Sequence, residues 1–353
     1  MKWSESFTTG GKGTCDLMRS GLLEEALSSF DTKTGCHICG QAGKENFLFH
    51  SSVFYPTEGH FDIYSCRECR VAYTVSRSAI RQDNLYEDFR GHNGQRFFGI
   101  MEWLIHLSEK NRARQIIATE KRGRILDVGC GRGLLLYYLK KAGWEVMGTE
   151  SSEKTCRHIE ADLGVPMRSS DLHELCLPSE SLDGVVLWHV LEHLEDPVAT
   201  LQEGRRILKE EGFLIIALPN FESIQSRCFK GRWFHLNSLY HKSHFSFSSL
   251  SALAEKNGFH IRKTRHFFFC HNVYGWLQSL LNLFFKEQDF LFYALQRSAC
   301  SKNTKGFFRK MAGALCLSIF FLIPSLLLAL WESMLKQGGT MELWLEKRHV
   351  RSE

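Results

Sequence analysis

The stretch from Arg124 to Leu139 constrains the fold more than any other part of this chain. A short apolar run, Ile125-Leu126-Asp127-Val128, leads into glycines at 129, 131 and 133, and these into Leu134-Leu135-Leu136-Tyr137-Tyr138-Leu139. The order is strand, turn, helix, which is how an α/β sheet builds a nucleotide site. Glycines there admit backbone conformations closed to other residues and let a ligand approach without a Cβ in the way.

Spacing alone leaves dinucleotide binding open. Three details favour S-adenosylmethionine (SAM): Asp127 sits inside the turn, the glycines read GxGxG and not GxGxxG, and a second apolar run, Trp144 to Thr149, ends in Glu150, whose carboxylate can accept both ribose hydroxyls. Leu126-Asp127-Val128-Gly129-Cys130-Gly131-Arg132-Gly133 resembles the first motif of class I SAM-dependent methyltransferases. Ser181 to Pro197 resembles that family's fourth strand and the segment after it. Glu211 to Asn220 resembles its fifth strand, and His241-Lys242-Ser243-His244-Phe245-Ser246 with Asn257-Gly258-Phe259 the substrate-side loop and the approach to its sixth. The match covers about residues 120 to 266 and is similar to a bacterial subfamily related to quinone O-methyltransferases and sugar methyltransferases.

The resemblance implies an α/β fold with a doubly wound, seven-stranded Rossmann-like sheet. It also implies roles. Asp127, Gly129 and Gly131, with Cys130 and Gly133 of the same turn, would hold the methionine part of SAM. Glu150 would take the ribose and Asp171 the adenine amino group, while Trp188 and His189 would border the adenine and the methyl donor. Asp171 serves equally well as the cap of the turn that follows it.

Methyl transfer to a hydroxyl needs a group to take its proton, and histidine suits that near neutral pH. The candidates are His189, His193, His241 and His244, each of which also has a purely bracing role open to it. Quinone O-methyltransferase relatives use the segment after strand four to hold a divalent cation, and Glu192 with His193 match that pattern. Position 189 departs from it, being histidine where those relatives carry glutamate, which counts against magnesium.

Cys36-His-Ile-Cys39 and Cys66-Arg-Glu-Cys69 form two CxxC pairs separated by 26 residues with alternating apolar positions. This spacing predicts a zinc ribbon in which Cys36, Cys39, Cys66 and Cys69 close a structural tetrahedral shell, an iron–sulfur centre or redox pair being the alternatives. The other eight cysteines are scattered without framework spacing and read as reduced thiols. Charge adds little: 44 basic residues against 39 acidic ones leave +5, so no nucleic-acid partner is expected. The first thirty residues lack an export signal, and the bulk of the protein is expected in the cytoplasm.

From Met311 to Trp331 run 21 residues without a charge, enough for a membrane span. A broken apolar stretch, Val273 to Phe285 and Phe290 to Leu295, precedes it, and residues 297 to 310 between them hold five basic residues and no acid. Yet residues 338–347 alternate like a strand and resemble the last strand of the methyltransferase sheet, next to the sixth near Ile261 to Phe267. Both ends of the insertion then belong to one sheet, so a single crossing is excluded. The insertion then lies in the interface, re-enters, or crosses twice as a hairpin; three charges in the first arm, Lys286, Glu287 and Asp289, count against two crossings. The expected arrangement is a monotopic helical hairpin at the inner-leaflet surface, its basic stretch on anionic headgroups. The alternative is a helical subdomain packed on the core or at a homodimer interface.

The expected organisation is an N-terminal segment (1–30), a zinc ribbon (31–80), a helical connector (81–119) with apolar periodicity from Phe97 to Ala118, a SAM-binding core (120–270), the insertion (271–337) and a final strand with tail (338–353). The expected function is methyl transfer from SAM to a membrane-associated or lipid-linked acceptor, to oxygen before carbon or nitrogen. A soluble nucleotide sugar or glycan precursor is the alternative acceptor, and a non-catalytic SAM-binding scaffold or sensor the alternative class.

Overall fold

The computed structural model describes residues 36–43, 45–53, 58–77, 99–295 and 306–348. Expectations attached to residues 1–30, to the connector before residue 99, to Cys15 and Cys300 among the scattered cysteines, and to most of the basic stretch 297–310 lie outside them.

The two CxxC turns flank an antiparallel hairpin, β1 (Glu45–Val53) and β2 (Gly59–Cys66), and β3 (Ala72–Ser76) follows the second turn. Among the described residues of the connector runs one helix, α1 (Ile100–Thr119). Then β4 (Arg124–Val128), α2 (Leu134–Lys141), β5 (Glu145–Thr149), α3 (Glu153–Leu163), β6 (Met167–Arg168), β7 (Leu182–Trp188), α4 (Pro197–Ile207) and β8 (Leu208–Pro219) alternate strand with helix. After α5 (Ile224–Phe229) come β9 (Ser243–His244), α6 (Phe247–Lys256) and β10 (Phe259–Arg265). The insertion carries α7 (Tyr274–Leu281), α8 (Phe290–Ala294) and α9 (Phe307–Met334), and the chain returns as β11 (Thr340–Lys347).

The main sheet has seven strands in the order β10-β11-β8-β7-β4-β5-β6, with β4, β5, β6, β7 and β8 parallel to one another and β11 antiparallel to both β8 and β10. The doubly wound sheet expected from the sequence is therefore present, with the last strand beside the sixth. Central strands are buried on both faces, which explains why Val185-Val186-Leu187 and Leu214-Ile215-Ile216 read as unbroken apolar runs. Polar caps start the helices where the sequence supplies them: Ser152 and Asp196 accept from the backbone of Thr155 and Ala199.

The ribbon is not a separate lobe. Strand β9 joins its sheet beside β3, and Cys36, Ile38, Cys66 and Val71 share an apolar core with Phe245 and Leu250. Lys242 makes the tie closer, its carbonyl accepting from Thr74 N at 3.0 Å and its N–H donating to the Glu192 carbonyl at 2.9 Å. Of the scattered cysteines, Cys130, Cys156, Cys228, Cys270 and Cys316 are free thiols as expected, whereas Cys176 corrects that expectation by being disulfide-bonded.

The insertion is less symmetrical than a hairpin of two like arms. Its first arm is a π-helical turn, Phe269–Val273, continuing into α7, which buries Trp276, Leu277 and Leu281, and then the short α8. The second arm is the 28-residue α9, long and apolar enough to cross a membrane by length and composition. Along it Phe308, Ile319, Phe320, Ile323, Leu327 and Met334 are 60% to 84% exposed, while Phe307, Ala314, Ser325, Ala329 and Glu332 are buried. At 3.6 residues per turn the exposed set, together with other exposed residues such as Leu315, Leu322, Leu330 and Trp331, covers roughly half of the circumference from end to end. Near its start Lys310 pairs with Glu287 at 2.5 Å, and near its end Glu332 accepts from Gln225, Asn272 and Gly339 N. The helix thus packs on the rest of the insertion near its start and is anchored to the domain at its end.

Candidate cofactor and acceptor site

At the carboxyl end of β4 the chain turns through Gly129, Gly131 and Gly133, all with φ between 57° and 69°, a region that favours glycine. A Cβ on Gly129 would sit 2.7 Å from Val190 Cγ2, so this position also needs the space. The turn is held by the neighbouring strand: Gly129 N donates to Thr149 Oγ1, Cys130 N to the Thr149 carbonyl and Gly131 N to Glu150 Oε2 at 2.9 Å. The other Glu150 oxygen accepts from Ser151.

A cleft of about 720 Å³ opens beside this turn. Gly129, Glu150, Asp171 and His189 line it, as does His193. Asp127, Cys130, Gly131, Gly133 and Trp188 stand behind the wall or beside it. Asp127 is fully buried at the strand end, and burial pushes its carboxyl up to about 7 against the pull of the Arg112 guanidinium. Asp171 lines the cleft and also opens a short 3-10 helix, Leu172–Leu175, with its N–H 3.4 Å from Glu174 Oε2; both roles considered for it are compatible with its place. The Trp188 indole is covered on one face by Arg112 at 3.6 Å and meets Phe268 and His271 of the chain after β10.

Of the four histidine candidates, three gather around one carboxylate. Glu192 is almost wholly buried; His189 Nδ1 lies 3.1 Å from its Oε1 and His241 Nε2 4.0 Å from the same atom. His193 packs edge-on against His241 at 4.7 Å and bonds through Nδ1 to the Tyr240 carbonyl. Burial works against a charge on Glu192, but the hydrogen bond and charge of His189 hold the carboxyl below its usual range. An ionised carboxylate only accepts, so His189 Nδ1 donates to it, and the neutral form of the ring then has its lone pair on Nε2. His189 has φ of 52°, unusual for a side chain of this size, and its N–H is fixed to the Ala217 carbonyl at 2.8 Å.

His244 is brought elsewhere. It bonds to Thr74 Oγ1 at 2.8 Å and stacks on Phe221, at the seam with the ribbon. Burial drives its ring down to about 3, which leaves a neutral brace. Ligand atoms of Glu192, His193 and His241 lie within 4.8 Å of one another. Two imidazoles and one carboxylate suit a transition ion and poorly fit magnesium, which takes oxygen.

In the ribbon the four sulfurs also lie within 4.8 Å of one another, with Cys36–Cys69 and Cys39–Cys66 at 3.6 Å. Four thiolates about 2.3 Å from one tetrahedral ion would stand about 3.8 Å apart. The donor set and its spacing fit zinc.

Residues 100–264 match the family described as methyltransferase domain. That part of the chain is a methyltransferase domain. A probable S-adenosylmethionine-dependent methyltransferase of Mycolicibacterium smegmatis is 32% identical over 152 residues, covering 42% of this chain and 57% of that one. A ubiquinone biosynthesis O-methyltransferase of Cereibacter sphaeroides is 33% identical over 102 residues, covering 28% and 41%. The chain thus spans about half the length of the curated relatives it matches. Among solved structures, a SAM-dependent methyltransferase from Archaeoglobus fulgidus aligns with TM-score 0.44 and 22% identity over 76% of this chain and all of that one.

The methyltransferase domain receives two side chains that no motif announces. His271, in the turn Phe269–Val273, stacks on His189 with ring centroids 5.1 Å apart, and His235 Nε2 bonds to the His271 carbonyl at 3.0 Å. Both come from segments whose sequence is apolar or irregular, so nothing local sets these histidines apart from others in the chain.

Proposed function

We propose that this protein is a SAM-dependent methyltransferase that methylates a hydroxyl of a membrane-associated or lipid-linked acceptor, working at the cytoplasmic face of the membrane. The observation that carries the reading is the His189–Glu192 pair set on the wall of the cleft beside the glycine turn.

When bound, SAM supplies a methyl group activated on a sulfonium, and orientation is the main task left to the protein. The glycine turn would receive its amino-acid part, with the Asp127 carboxyl behind it, and Glu150 its ribose. His189 Nε2 would take the proton of the acceptor hydroxyl as that oxygen receives the methyl group. Glu192 keeps the ring in the required tautomer and stabilises the imidazolium that forms. No cation is needed for these steps.

The long exposed apolar side of α9 supports the membrane part. One side of α9 packs on α7 and α8 of the insertion and its C-terminal end is tied to the domain through Glu332 and Ser333, which suits a helix lying in the plane of the interface. In the ribbon, Cys36, Cys39, Cys66 and Cys69 would hold a structural zinc whose closed shell fixes the sheet that β9 joins.

Purified protein incubated with radiolabelled SAM and a membrane lipid extract should place label in the organic phase. Label only in the aqueous phase, and only when soluble sugars are supplied, would refute the lipid acceptor. Absence of label with either would refute catalysis.

A further inference from the structure

His271 belongs to no motif, yet it is among the most constrained residues near the cleft. It sits in the π-helical turn Phe269–Val273, the first element of the apolar insertion, and such turns recur at functional sites. Its ring lies within 15° of parallel to that of His189. His235 holds its carbonyl, and the next residue, Asn272, donates to the His266 carbonyl and to Glu332 of α9. Main-chain and side-chain bonds on both sides of the ring therefore fix where it points.

Next to it begins a run of buried polar atoms with no hydrogen-bond partner among the described residues: His271 Nδ1 and His189 Nε2 on the two stacked rings, Glu192 Oε2 beside His189, and His241 Nδ1 beside Glu192. Buried polar atoms are nearly always paired, so four orphans on adjoining side chains point to a polar ligand that belongs there. Burial, reinforced by His189, His235 and Arg112, keeps the His271 ring neutral, so it can serve a hydroxyl without adding charge to the site. The same insertion is apolar outward: Leu283 and Phe284 are more than half exposed, and the Phe284 ring packs against Phe321 of α9 at 5.7 Å. A molecule with a hydroxylated head and an apolar tail matches both ends of this element.

We infer that the insertion forms one wall of the acceptor site and that His271 hydrogen-bonds the hydroxylated head of an amphipathic acceptor beside the His189 base. The inference rests on the reading of the protein as a methyltransferase with a membrane-associated acceptor. His271 orients the head, His189 takes the proton, and the tail runs toward the exposed apolar side of the insertion. Specificity for an amphiphile is thereby built by the insertion itself.

The test uses the full chain saturated with S-adenosylhomocysteine, and 4-nonylcatechol as the probe, compared with catechol. Calorimetry should show that the nonyl compound binds more tightly than catechol. His271→Phe, which keeps a stacked ring but removes both nitrogens, should weaken probe binding about tenfold, as the loss of one buried hydrogen bond predicts. SAM affinity of the variant should stay within about twofold, since the glycine turn is untouched. In wild-type protein labelled with ¹⁵N at the imidazoles, the probe should shift the His271 resonance. Equal probe binding by wild type and His271→Phe, or an unmoved His271 resonance, would overturn the inference and leave the methyltransferase reading standing. SAM binding without any probe binding would overturn it together with the amphipathic acceptor. A wild-type protein that fails to bind SAM would refute the reading on which it rests.

Discussion

The Glu192 carboxylate accepts the Nδ1 proton of His189 across 3.1 Å, inside a protein wall that leaves Glu192 almost no contact with solvent. The pair is formed by residues three apart on the segment that leaves β7, and the Lys242 N–H secures the Glu192 carbonyl from the far side. The arrangement orients one nitrogen and leaves the other for an acceptor.

Replacing the base tests that assignment directly. His189→Gln should lower kcat by about 10² to 10⁴, the usual contribution of a positioned acid–base group. SAM affinity, read by calorimetry, should change little. The same substitution at His244 should cost stability at the ribbon seam and leave kcat within about threefold, because its partner is Thr74. A larger kcat loss at His244 than at His189 would reverse their roles.

The glycine turn makes a second prediction. Gly129→Ala puts a side chain at a φ of 63° and a Cβ 2.7 Å from Val190 Cγ2. The left-handed conformation alone costs about 1–2 kcal/mol. Thermal unfolding should begin several degrees lower and SAM affinity should fall about tenfold or more, with zinc content unchanged. Undiminished SAM binding would mean that the cofactor lies elsewhere.

Asp127 sets a pH dependence. Its folded pKa, raised by burial to about 7 from 3.8, means that the folded cofactor-free protein holds this proton more tightly than the unfolded chain. The carboxyl therefore contributes a destabilisation that is absent below about pH 4, grows as pH rises toward 7 and is complete above it. Asp127→Asn should accordingly raise Tm at pH 8 and have its smallest effect near pH 4. In the wild type, cationic SAM arriving near the carboxyl should expel its proton, so calorimetry at pH 7 should show proton release that depends on buffer ionisation heat. Equal proton release in Asp127→Asn would assign the titration to another group.

For the membrane, point substitutions are cleaner than deletion of the insertion, since α7 buries Trp276 against Phe229 and Ile224 of the domain. Ile319→Glu with Ile323→Glu should leave Tm nearly unchanged, because both side chains point away from the protein. Partitioning onto phosphatidylethanolamine–phosphatidylglycerol vesicles should fall by about 10² or more, given about 1.5–3 kcal/mol for each apolar side chain withdrawn. Unaltered sedimentation with vesicles would count against α9 as the contact. A wild-type dimer broken by the same pair of changes would assign the surface to a second copy of the chain.

Much of the site could be read before any coordinates because its parts are local. A glycine needed for a left-handed turn, an acid at a strand end and two cysteines on one tight turn are consequences of a few consecutive residues. Trp188 shows the limit of that reasoning: its position at the end of β7 was legible, but the Arg112 guanidinium on its face comes from a helix 76 residues earlier. His244 shows it again, since only the antiparallel pairing of β9 with β3 turns that ring toward Thr74 and not toward the cleft.

By itself, the sequence determined the strand–turn–helix of the glycine motif and the four-sulfur cluster, because each follows from spacing along the chain and the geometry of one turn or strand, while the seven-stranded sheet was implied by the resemblance to class I SAM-dependent methyltransferases. Tertiary structure alone decided which histidines share Glu192, that His271 is carried from the insertion onto His189, and that half of α9 faces outward. Those outcomes depend on contacts between residues dozens of positions apart, and their energies arise only when the sheet has closed and the insertion has packed along it.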